Sequence, residues 1–154
     1  MKYFLSIFTI FLSIFCFSQL KVVDDKGPKM IEVGKVGPMG TTNISMLKSE
    51  DDKIYCFEYQ DMKFTQINTW KKFCFINEND DINNLYNLII DGFEKNINNE
   101  VKLESQLHYI TLRFEKQLGV MNFDFAAKDK STGIVGYSRY LSKKQVNKLF
   151  GKTK

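Results

Sequence analysis

Two cysteines, one histidine and a few acidic clusters hold most of the chemistry this sequence could perform. Cys56 and Cys74 sit in segments that alternate like neighbouring strands. If those segments pair, the Cα atoms can come within the about 4.4–6.8 Å that a disulfide spans. Strand register decides whether they do, and register is not written in the sequence. The alternative is two buried thiols packing as small apolar side chains.

His108 is the only histidine. A nucleophilic site would need a partner serine or cysteine in a recognisable setting, such as Gly-x-Ser-x-Gly, and none occurs. Only Cys56 and Cys74 could join it on a zinc ion. A structural histidine at a strand start is the plainer reading. Glu78, Asp80 and Asp81, with Asn77 and Asn79, form an oxygen-rich run. It lacks the turn glycine and distant glutamate of a calcium loop, and helix capping explains it. Gly34, Gly37 and Gly40 match no phosphate-binding fingerprint and read as turn residues. Asp124 or Glu115 beside Arg113 would be the carboxylates of an unfamiliar hydrolase. No catalytic, cofactor-binding or metal-binding residue is therefore assigned, and no cofactor is expected. The one surface worth naming is aromatic: Tyr55, Tyr59, Trp70 and Tyr109 could stack on a sugar or a peptide, or else line the core.

The elements that must position these residues begin after a distinctive leader. Met1-Lys2 is followed by an apolar run from Tyr3 to Phe17, and Cys16-Phe17-Ser18 precedes Gln19. That order predicts a signal peptide over residues 1–18, cleaved near Ser18. A run of this length falls short of a bilayer's hydrocarbon core, so no stable membrane span is expected in the mature chain. Lipid attachment at Cys16 wants a small residue before it, and Phe15 disfavours that. The expected address is the periplasm or the medium. In its leader and its Lys/Asn/Ile-rich body the chain resembles small exported proteins of Gram-negative bacteria; that resemblance covers composition and leader only and implies no activity.

The chain has 154 residues and a net charge of +4. Its charges interleave, and the C-terminal lysines suit a solvated helix face, so nucleic-acid binding is not expected. Residues 19–29 read as a flexible leader, 30–151 as a single α+β domain and 152–154 as a tail. Alternation predicts strands at Met30–Val36, Asn43–Ser49, Ile54–Gln60, Lys71–Ile76, Val101–Ser105, His108–Phe114, Val120–Ala127 and Ile134–Tyr140. Apolar residues at helical spacing predict one long central helix over Ile82–Ile97, capped by Asp80 or Asp81, and Ser142 opens a short C-terminal helix that Gly151 stops. Short connections suggest an antiparallel meander of six to eight strands. The expected function is a non-enzymatic binding or interaction module for an unknown protein or cell-envelope partner. A small periplasmic hydrolase is one alternative. The other is an inhibitor or immunity-type protein presenting the Lys128–Gly133 loop.

Overall fold

The computed structural model describes residues 27–63, 66–95 and 100–153. The leader and most of the segment after it lie outside the described residues. Strands β1 (Met30–Val36), β2 (Ile44–Ser49), β3 (Ile54–Gln60) and β4 (Trp70–Ile76) form one antiparallel sheet in chain order. Helix α1 (Asp81–Glu94) follows. Strands β5 (Glu100–Glu104), β6 (His108–Gln117), β7 (Val120–Asp129) and β8 (Val135–Tyr137) form a second antiparallel sheet, and helix α2 (Lys143–Leu149) closes the fold.

The α+β class holds, and the single meander does not: the described residues form two sheets of four strands. The reason is that each sheet has its own strongly aromatic face. Tyr55, Phe57, Tyr59, Phe73 and Phe75 line the first; Phe114, Phe123 and Phe125 line the second. Packing the sheets face to face buries both sets. Phe125 joins them, meeting Phe57, Tyr59 and Phe73 edge-on at centroid separations of 6.2, 5.0 and 5.5 Å.

The chain is organised as four strands and a helix, twice over. Each helix crosses to the other half: α1 packs on β6 and β7, and α2 packs on β1 and β2. Two glycines permit these approaches. A Cβ on Gly34 would lie 2.3 Å from the Lys148 carbonyl oxygen at the end of α2. A Cβ on Gly92 would lie 2.3 Å from the Phe114 ring, which accounts for a glycine inside α1.

The helix caps differ in how closely they follow expectation. Ser142 forms a reciprocal capping box with Gln145, and Gly151 has φ of +66°. At α1, Asp80 is left-handed and makes no side-chain cap. Asn77 Oδ1 instead accepts from the Ile82 N–H at 3.1 Å, and Asp81 accepts from Glu78 N–H. β8 is shorter than the alternation suggested. Past Tyr137, Ser138 N–H still donates to Phe125 C=O, and Leu141 bridges Phe123. At the other side of β8 the first sheet reaches across: Met62 N–H donates to Tyr137 C=O, and Tyr137 N–H donates to Asp61 Oδ1.

Candidate functional site

Alternation along β5 to β8 gives the second sheet an outer face as well defined as its core face. Register stacks that face in rows. Lys102, Thr111, Ala126 and Tyr137 are successive cross-strand partners; Glu104, Tyr109, Lys128 and Val135 form the next row; Glu100, Arg113 and Asp124 form the row on the other side. Thr111 and Ala126 are small, so the middle row sinks between larger side chains. The result is an open groove of about 420 Å³. Lys102 and Lys128 stand on its flanks with no ion pair among the described residues.

One end of the groove is fixed by a charge pair. Asp124 is only 3 % exposed although it lies on the outer face. Burial pushes its carboxyl above the ordinary range, opposed by the hydrogen bond and charge of Arg113. Burial likewise works against the Arg113 charge, but Asp124 outweighs it and the guanidinium is held ionised. The guanidinium carbon lies 5.3 Å from the centre of the Tyr137 ring. A buried carboxylate lacking its partner would be strongly unfavourable, so the pair is a rigid unit. Nearby, Tyr140 Oη donates to Glu115 Oε2 at 2.6 Å, and that bond raises the Tyr140 pKa. The structure thus brings together Arg113, Asp124 and Glu115, but engages each carboxylate.

The Lys128–Gly133 segment is stapled. Asp129 Oδ1 accepts from the N–H and hydroxyl of Ser131 and from the N–H and hydroxyl of Thr132. These bonds, led by the Ser131 hydroxyl, hold the Asp129 carboxyl well below the usual carboxylate range. Lys130 Nζ reaches Glu104 and the Ser105 carbonyl, both at 2.6 Å, and lies over Tyr109.

The four aromatic residues do not share a surface. Tyr55 and Tyr59 are core residues, 8 % and 2 % exposed. Trp70 is exposed on the outer face of the first sheet and Tyr109 on the outer face of the second. Both predicted tyrosines share the inward parity of Phe57, and the sequence offered that reading too. Cys56 and Cys74 are direct cross-strand partners and are bridged, with Cα atoms 4.1 Å apart. That short spacing belongs to the closely spaced pairs of an antiparallel ladder. The bridge lies on the outer face of the first sheet, away from the groove. Asn77 and Asp81 serve the start of α1, and no cluster of three metal-ligating side chains occurs among the described residues. Lys102, Thr111, Ala126 and Tyr137 escaped sequence reasoning, and Lys128 entered it only as the start of the Lys128–Gly133 loop. The signal available was the polar set on alternate positions of β6 and β7, with Asp124 as a charged residue inside an apolar run.

The fold and groove together define a two-sheet α+β protein with a preformed polar surface. No protein-family model matches the chain, and no curated protein or solved structure matches it.

Proposed function

We propose that this chain is an exported, non-enzymatic binding module whose working surface is the outer face of the second sheet. The observation that carries it is the groove itself: a small-residue floor at Thr111 and Ala126 between two lysines that have no ion pair among the described residues, closed by the Arg113–Asp124 pair. Because strands hold these groups in place, a partner pays little for ordering them. The lysines favour a partner that brings acidic groups, through complementarity that governs encounter and register. Cleavage near Ser18 would release the mature chain to the periplasm or the medium. The Cys56–Cys74 bridge is compatible with such an oxidising compartment, and no helix among the described residues is long and apolar enough to cross a membrane.

The test is capture from cell-envelope extract at mild salt, using residues 19–154 with the disulfide intact. The wild type should retain a partner, and Lys102→Glu with Lys128→Glu should lose it. No retained partner, or equal retention by the variant, overturns the proposal.

A second reading is favoured by the stapled loop. An inhibitor-type protein needs a rigid protruding segment, and the four donors on Asp129 supply that rigidity. Replacing residues 130–133 with a glycine-serine linker separates the two readings: loss of capture there, with the groove variant unaffected, favours the inhibitor. The hydrolase reading has weaker support, since a proton-transferring carboxylate must face its substrate and Asp124 faces Arg113.

A further inference from the structure

Between the two sheets, on the opposite side of β7 and β8 from the groove, lies a separate cavity of about 140 Å³. Its walls carry Tyr59, Lys71, His108, Asp129 and Gly136. We propose that this cavity is a binding site for a small oxyanion, a carboxylate or a phosphate.

Tyr59 is the key residue. The residue is 2 % exposed, and its hydroxyl, which makes no hydrogen bond among the described residues, lines the cavity. That hydroxyl is open to the cavity, where a ligand oxygen would accept from it. Room in front of the hydroxyl exists only because residue 136 is glycine. A Cβ there would lie 2.6 Å from Tyr59 Oη and 2.9 Å from Lys71 Cγ. Gly136 pairs with Ala127 in regular antiparallel register and its φ is not in the left-handed region, so backbone conformation does not demand a glycine. The space does.

The remaining groups set the sign of the ligand. Lys71 is a cation with no ion pair among the described residues. Lys72 also borders the cavity, from the outward parity of β4, and is already held by Glu58 at 3.1 Å. His108 is nearly enclosed and packs against Phe73; its Nδ1 has no partner and its Nε2 lies 3.8 Å from Asp129 Oδ2. Among the described residues Asp129 is the only acidic one lining the cavity, and its other oxygen accepts four donors. A metal cation would face Lys71 with one carboxylate already engaged. An oxyanion would receive the Tyr59 hydroxyl and the Lys71 ammonium together. At about 140 Å³ the cavity has room for an anion of a few heavy atoms.

The experiment titrates the disulfide-intact domain with inorganic phosphate and, separately, with acetate, at constant ionic strength set by chloride. The readouts are calorimetry and the ring-nitrogen NMR signals of His108. Saturable binding near millimolar or tighter is expected for one of the two anions, and which one identifies the source of the oxyanion. Lys71→Met should weaken it about tenfold, the worth of one charge-assisted hydrogen bond. Tyr59→Phe should weaken it by a smaller factor, and Lys35→Met on β1 should leave it unchanged. Absence of saturable binding by the wild type for both anions overturns the proposal whatever the variants do. Equal affinity in wild type and Lys71→Met overturns it as well. Because this cavity does not share its lysine with the outer groove, loss of partner capture and loss of anion binding are separate outcomes.

Discussion

The two sheets have the same strand number, the same order and the same kind of inner face, but their outer faces do different things. The first sheet closes its outer face with covalent and paired groups: the Cys56–Cys74 bridge, the Glu58–Lys72 ion pair and the small Ser45. The second sheet sinks a row of small residues between lysines and buries a carboxylate under an arginine. One half is built to stay shut and the other to present polar groups in fixed positions. On the proposed function, similar strands divide structural and recognition roles according to what the outward parity carries.

Removing what the two halves share has the largest effect. Phe125→Ala should cost about 3–5 kcal/mol, since the ring touches three aromatics of the first sheet and leaves a cavity between the sheets. Denaturant unfolding measures it. A loss under 1 kcal/mol would mean that the sheets do not depend on a common core. Next, replacing both Cys56 and Cys74 with Ala should lower stability by about 3 kcal/mol, the value expected for a closed loop of this length. Partner capture should survive in whatever fraction remains folded, because the bridge is on the other sheet.

The charge pair of the second sheet should cost somewhat less. Arg113→Met leaves Asp124 buried without its partner, and about 2–3 kcal/mol should be lost, toward the low end for buried pairs because Arg113 is one-third exposed. Arg113→Met with Asp124→Leu should recover most of that stability while still losing capture. A double variant as unstable as the single one would show that the pair is not what the arginine supports.

The smallest effect concerns the stapled loop. The folded pKa of Asp129 is lowered, so its contribution is complete above the ordinary carboxylate pKa of about 3.9 and fades as pH falls below it. Amide exchange at Ser131, Thr132 and Gly133 should accelerate below about pH 4, relative to the core of β6. Asp129→Ala should show fast exchange there already at pH 6.

How far the sequence disclosed these two halves follows from what alternation reports. Period-two patterning named every strand seen in the described residues, because parity is a local property, but it left open whether Tyr55 and Tyr59 faced the core or a ligand. It could not say whether eight strands share one sheet, since that depends on where Phe125 and its partners meet. The disulfide was legible as a reachable pairing because Cys56 and Cys74 share an outward parity; the register Cys56↔Cys74 completed it. At α1, local composition suggested an aspartate cap, but Asp80 turned left-handed and Asn77 took the place. The groove was hidden because its floor is made of Thr111 and Ala126, residues whose smallness matters only beside Lys102 and Lys128 on other strands. Gly136 carried no sequence signal either, since its meaning lies in Tyr59, far away along the chain.

The central claim, that recognition belongs to the second sheet, is tested most directly by lysine acetylation footprinting of the chain free and bound to its captured partner. Lys102 and Lys128 should become protected several-fold on binding, while Lys35 and Lys72 on the first sheet should react equally in both states. Protection of Lys35 and Lys72 with Lys102 and Lys128 unchanged would contradict the account.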